Sequence, residues 1–341
     1  MATVEKHLSI KSNKYLKRQS AIKNSIAVVY TFVAYFNSIY LLTLESLAIN
    51  IVGILLLSHS LVYSAYLCHE CMHGTIFKGR RGNTVFGTAM LWLNGGCYYG
   101  FKPLMLQHIA HHVDRVDVFT FDIPNAIKEQ KPLILRGILV LEWLYFPIVA
   151  FLVRWRWVVN SWLNANSYKD RARLSFIFIT RTFLWIGIGW LSWKALLFYF
   201  ISYINMIHVL RFFDAFQHTY EAFPPGEKLP RRDAEHEQKN TFSNLVSTRY
   251  PLLNVLFLNF GYHNAHHAVM KCPWHILPDL DRDLTSTRKD NYIPLSAQVL
   301  NYHRFRITRL LEGQGKTALE SKSEPYEQFY GAVDVSFLTL Y

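Results

Sequence analysis

Nine of the fifteen histidines in this chain have a type and spacing that could do chemistry together. His69 and His73 form H-x-x-x-H. His108, His111 and His112 form H-x-x-H-H, and His263, His266 and His267 repeat that pattern. His218 stands alone. On a helix, positions i, i+3 and i+4 share one face, so each box can present its imidazoles to one point. Imidazole suits Zn, Cu, Fe and Ni. A structural zinc site takes four ligands and usually includes cysteine. Nine imidazoles are enough for two metals with four or five ligands each, and two metals at a lipid-facing site point to iron and O2 chemistry.

Three rivals deserve weighing. His69-Glu70-Cys71-Met72-His73 also reads H-E-x-x-H, the pattern of a zinc protease with His69 and His73 as ligands and Glu70 as general base. That reading needs one further ligand and leaves both H-x-x-H-H boxes unexplained. A ferritin-like carboxylate site needs Glu-x-x-His twice, and Glu70-x-x-His73 supplies it once. A non-catalytic metal-binding membrane protein is hard to reconcile with nine convergent ligands.

The elements that must position these boxes are apolar. The 341 residues are 51% hydrophobic and 16% aromatic, and their 18% charged share lies below the roughly 25% of a soluble domain. This excludes a disordered chain and argues against an ordinary water-soluble enzyme. A hydrocarbon core of ~30 Å takes roughly 20 helical residues to cross. Stretches 25–44, 47–67, 174–193 and 195–213 qualify, and their short connections predict two transmembrane hairpins. Runs 85–101 and 134–153 are interrupted, the first by Gly95, Gly96 and Gly100, the second marked by Glu142 and Pro147. They are expected to be interfacial or re-entrant. The fold expected is an all-α integral membrane protein of about four transmembrane helices in two hairpins. Interfacial helices and a cytosolic helical cap (68–173 and 214–310) would carry a His-rich di-metal site. A basic segment 1–24 precedes the membrane domain of 25–310, and a tail, 311–341, follows it.

The net charge of +12 suits an anionic membrane surface, and the apolar runs favour that over nucleic acid. Segments 1–24, 68–173 and 214–341 hold 33 of the 36 Lys and Arg residues. The positive-inside rule therefore puts both termini and all four histidine places in the cytoplasm. Arg181 and Arg211 lie within spans, and Arg181 is expected to snorkel. Cys68, Cys71, Cys97 and Cys272 make no disulfide framework and read as reduced thiols. Asp114, Asp117 and Glu221 are candidates to orient ligand imidazoles. His59 and His208 are expected to make interhelical hydrogen bonds. His7, His236, His275 and His303 lack partner spacing.

Over about residues 47–280, the three boxes, their order and the paired spans resemble the membrane fatty-acid desaturase superfamily. That superfamily includes acyl desaturases, hydroxylases, ketolases and alkane monooxygenases. His69-Glu70-Cys71-Met72-His73 is similar to the first box, with Glu70 where many members have Asp. Gln107-His108-Ile109-Ala110-His111-His112 is similar to the second, and Gly261-Tyr262-His263-Asn264-Ala265-His266-His267 to the third. Gln217-His218-Thr219-Tyr220 looks like the segment that gives a ninth ligand. In stearoyl-CoA-type members an Asn four residues earlier holds a metal-bound water; this chain has Asp214 there, a departure.

The resemblance implies two Fe ions held by the nine histidines, with Asp214 and Glu70 as candidates to lie beside them or hold a water. It implies O2 and two electrons as co-reactants, and insertion of a double bond into a fatty acyl chain. Hydroxylation or ketolation of an alkane, acyl or carotenoid chain is the alternative. The sequence shows no iron–sulfur, flavin or nicotinamide motif. An external electron donor, a ferredoxin or b-type cytochrome, is therefore expected alongside a lipid or acyl substrate.

Overall fold

A computed structural model describes residues 15–16, 19–118, 122–164, 168–223, 226–284, 291–312 and 329–332. Most of the 1–24 segment, including His7, and most of the 311–341 tail lie outside the described residues. The first hairpin is α1 (Ala21–Thr43) and α2 (Leu47–His73), which pack along their lengths. Next come α3 (Arg80–Asn94), α4 (Phe101–Asp114), β1 (Asp117–Val118), α5 (Ile123–Lys128), α6 (Pro132–Trp143) and α7 (Ile148–Leu163). The second hairpin is α8 (Tyr168–Leu191) and α9 (Trp193–Ala215). β2 (Ala222–Phe223) and α10 (Ala234–Lys239) lead to a 3-10 turn at Pro251–Phe257 and then to α11 (His263–Ala268). A second 3-10 turn at Trp274–Ile276 precedes α12 (Leu277–Leu284), α13 (Leu295–Arg304) and α14 (Thr308–Glu312).

Among the described residues four helices, α1, α2, α8 and α9, are long and apolar enough to cross a membrane. With 23 to 27 residues each, at about 1.5 Å per residue they exceed the ~30 Å hydrocarbon core. Two of them differ from the expected bounds by about six residues. α2 continues past residue 67 through the first histidine box, because its backbone meets no breaker before Gly74, which caps it in the left-handed region. Hydropathy falls at His69 and Glu70, yet their side chains are buried, so the helix stays packed. α8 starts at Tyr168, and its polar first turns are used: Arg173 Nη2 donates to Tyr98 O at 3.1 Å.

α2 is the central helix, with 67% of its apolar window buried, against 17% for α8, whose Phe176, Phe183, Ile186 and Trp190 face outward. The two hairpin turns meet at one end of the bundle. Lys194 Nζ donates to Leu44 O at 2.6 Å, while Asn50 Nδ2 ties the first turn through Leu41 O and Leu44 O. His73, at the far end of α2, and His218, just past that of α9, therefore lie toward the opposite end.

The 134–153 run, expected to be interfacial or re-entrant, folds as two helices: α6 and α7 meet at 116°. Glu142 makes this elbow. Its Oε1 accepts from Val149 N at 2.8 Å, satisfying the start of α7, and its Oε2 pairs with Arg211 Nη1 of α9 at 3.0 Å. Arg181 departs from expectation. It lies in the middle of α8, is only 2% exposed and donates Nη1 to Trp92 O instead of reaching an interface. The four cysteines are free and buried. His59 bonds Tyr30 of α1 (2.5 Å) and His208 bonds Tyr302 of α13 (3.1 Å), the interhelical role expected of both.

Candidate metal centre

Four elements bring the histidines together. α2 delivers His69 and His73 on its last turns. α4 delivers His108, His111 and His112 on one buried face. α11 delivers His263, His266 and His267. His218 comes from an extended segment just past α9, paired antiparallel with Thr241. Asp214 is still helical, whereas His218 lies beyond the end of α9 at Ala215, so the four-residue spacing does not put them on one helical face. The parallel pairing of β1 with β2 joins the chain after α4 to the chain after α9, in register Asp117↔Ala222.

α11 depends on a close backbone approach. Gly261 O accepts from Asn244 N at 3.0 Å, and a Cβ on Gly261 would lie 2.7 Å from Asn244 O. Only glycine allows that contact without displacement. Ser243 Oγ donates to Asn264 Oδ1 at 3.0 Å and fixes the helix from the same side.

The nine imidazoles sort into two groups. The ligand atoms of His69, His73, His108, His112 and His266 lie within 4.8 Å of one another, as do those of His111, His218 and His267. His263 joins the second group, its Nε2 2.7 Å from His218 Nε2. Further Nε2–Nε2 approaches are 2.8 Å for His73 and His108, 3.1 Å for His266 and His112, and 3.2 Å for His111 and His218. Nitrogens bound at ~2.1 Å to one metal sit about 3.0–3.4 Å apart, so these spacings approach what an ion requires. His69 Nε2 and His267 Nε2 are buried with no hydrogen-bond partner, a costly state that a metal would relieve. The groups abut where His112 and His267 lie with ring centroids 4.1 Å apart.

Carboxylates aim the second group. His111 Nδ1 is 2.8 Å from Asp117 Oδ1, and His267 Nδ1 is 3.0 Å from Glu237 Oε1. A proton held on Nδ1 leaves the Nε2 lone pair for a metal. Arg115 Nε donates to the other Glu237 oxygen at 3.0 Å, and Arg115 holds a left-handed φ of 57° to do so. Burial raises the Glu237 carboxyl, with Arg115 opposing. Burial first, then neighbouring imidazoles, lowers His108, His112, His218, His263, His266 and His267. These six imidazoles are thus held neutral, the form that ligates.

The other candidates fall as follows. Asp117 orients an imidazole as expected. Asp114 forms no hydrogen bond or ion pair with an imidazole among the described residues. Glu221 pairs with Arg232 at the surface. Neither Glu70 nor Asp214 falls in a group that could share an ion, among the described residues, although both are buried. Glu70 Oε2 accepts from Thr75 Oγ1 (2.6 Å) and Trp274 N (3.2 Å), so it staples the end of α2 to the third-box segment. That tether, and the three further imidazoles grouped with His69 and His73, count against the zinc-protease reading. Glu237 was not anticipated: it lies in a six-residue polar helix that reads as solvated, 30 residues before its partner.

Aromatic rings wall the first group on the bundle side. Phe260 packs 5.1 Å from His69 and stacks on Tyr66 at 4.4 Å, and Phe257 lies 4.5 Å from Phe213. Compared with known proteins, the chain matches the family described as Fatty acid desaturase over residues 46–298. No curated protein matches it at a significant level.

Proposed function

The chain belongs to the fatty acid desaturase family, whose members are oxygen-dependent di-iron oxidoreductases of the desaturase/hydroxylase type, and from that premise we propose that it inserts a double bond into a fatty acyl chain. One observation carries the reading: nine buried imidazoles divided five and four over two adjoining groups. His69, His73, His108, His112 and His266 would hold one iron, and His111, His218, His263 and His267 the other. Iron bound there supplies O2 activation and hydrogen removal from an unactivated C–H bond. The remaining work falls to the protein. Asp117 and Glu237 keep protons on Nδ1 and so fix which nitrogen faces the metals. Burial favours the neutral form of His108, His112, His218, His263, His266 and His267. Phe260, Tyr66 and Phe257 offer an apolar approach for a methylene chain.

The substrate in this reading is a membrane-borne acyl chain. The electrons come from a separate ferredoxin or b-type cytochrome. Docking falls on the histidine-bearing end, which together with both termini lies in the cytoplasm. The positive charge outside the spans supports that orientation. The test is the lipid profile of a host expressing the protein beside one expressing His266→Ala, by gas chromatography with mass detection. A new alkene that vanishes in the variant is expected. A new alcohol or ketone in its place moves the protein to the hydroxylating branch.

A further inference from the structure

Arg154 on α7 and Arg181 on α8 are 8% and 2% exposed, and neither forms an ion pair among the described residues. A buried charge without a counter-charge is costly, and an arginine at membrane depth ordinarily has a partner. Arg181 is partly accounted for: Nη1 donates to Trp92 O, and its guanidinium lies 5.7 Å and 5.2 Å from the Trp92 and Trp185 rings. Arg154 is not. Its Nη1 and Nη2 are both buried with no hydrogen-bond partner, and its aromatic neighbour is the Tyr203 ring at 5.4 Å.

The two guanidinium groups face one spot. A Cβ built on Gly95 would lie 2.7 Å from the Tyr203 hydroxyl, 3.2 Å from Arg154 Nη1 and 3.3 Å from Arg181 Nη2. Gly95 caps α3 at φ +82°, a conformation that side chains rarely adopt. The lack of a side chain lets the backbone come close to the point at which two guanidinium groups and a hydroxyl converge. The free pair of Arg154 N–H groups matches the two oxygens of a carboxylate or phosphate, and Arg181 adds charge from the other side. α7 turns Leu152, Trp155 and Val159 outward, so the surroundings from which a ligand comes are apolar.

We propose that Arg154, Arg181 and Tyr203 form, over Gly95, a binding site for the oxyanion of an amphiphile, a phosphodiester or carboxylate whose tail lies in the membrane. The site is separate from the histidines and rests on none of their chemistry. It is tested on the full chain, delipidated in a neutral detergent, by thermal unfolding. The probes are phosphatidylglycerol, oleate, inorganic phosphate and diacylglycerol. Wild type is expected to gain roughly 5 °C at saturating ligand with phosphatidylglycerol, which names a lipid phosphodiester, or with oleate, which names a carboxylate. Diacylglycerol has the tail without the anion and should give no gain. Arg154→Met should abolish the gain, yet be at least as stable as wild type without ligand, because it removes an unpaired buried charge. Arg154→Lys keeps the charge but not the paired donors, and should weaken binding about tenfold. The proposal is overturned if no anionic amphiphile raises the melting temperature, if inorganic phosphate alone does, or if the gain survives in both variants.

Discussion

The two halves of the histidine pocket are built differently. In the five-histidine half, helices place the imidazoles. Nδ1 of His73, His112 and His266 has no hydrogen-bond partner, and His69 Nδ1 lies 3.4 Å from Glu70 Oε1 without the alignment of a hydrogen bond. In the four-histidine half, His218 stands on extended chain, and two of its imidazoles are aimed by the carboxylates Asp117 and Glu237. Long helices fix side-chain direction through their own packing. In the other half carboxylates aim His111, on α4, and His267, on α11, while His218 Nδ1 lies 3.4 Å from Thr241 Oγ1. The difference teaches that four imidazoles of the first half draw their geometry from α2 and α4, whereas two of the second depend on hydrogen bonds that can be removed singly.

The largest effect tests the helix-held half directly. His266→Ala should lower activity by more than ~100-fold, beyond the range for a residue one contact removed from a metal, and iron analysis should show metal lost from the purified protein. Next, Asp117→Asn and Glu237→Gln should each weaken one iron by about 10–100-fold while the other stays bound. Titration of metal-free protein with ferrous iron should then resolve a tight and a loose site; equal weakening of both would erase the distinction between the halves. Gly261→Ala should act on both halves together, since α11 serves both. A Cβ 2.7 Å from Asn244 O should cost about 1–3 kcal/mol, read as a lower melting temperature with both irons weakened in parallel. Smallest, Glu221→Gln should change stability by less than ~0.5 kcal/mol and leave the iron stoichiometry alone, because its pair with Arg232 is exposed.

Much of the first half was legible in the sequence. A span is a run of some twenty apolar residues, and each histidine box is written within one helical face. The elbow at Glu142 and Pro147 was legible too, since a charged residue and a proline interrupt an apolar run. Asp117 lay close enough to the second box to be suspected. Glu237, Arg154 and Arg181 could not be read this way. Their roles come from chain segments that meet only after folding, and no local spacing links Glu237 to His267 or Gly95 to two arginines on other helices. Hydropathy likewise ends α2 too early, because it scores His69 and Glu70 as polar without seeing the buried partners that let the helix continue.

The continuity of α2 has a mechanical consequence. The helix that passes from the hairpin turn to His73 is a rigid lever, stapled at its far end by Glu70 to Trp274. A bilayer thinner than its apolar length forces a change of tilt, at a cost of fractions of a kcal/mol per ångström. Tilt at one end becomes displacement of two imidazoles at the other. Turnover in vesicles of graded acyl length should therefore pass through an optimum; a flat response would show that tilt of α2 does not reach the histidines.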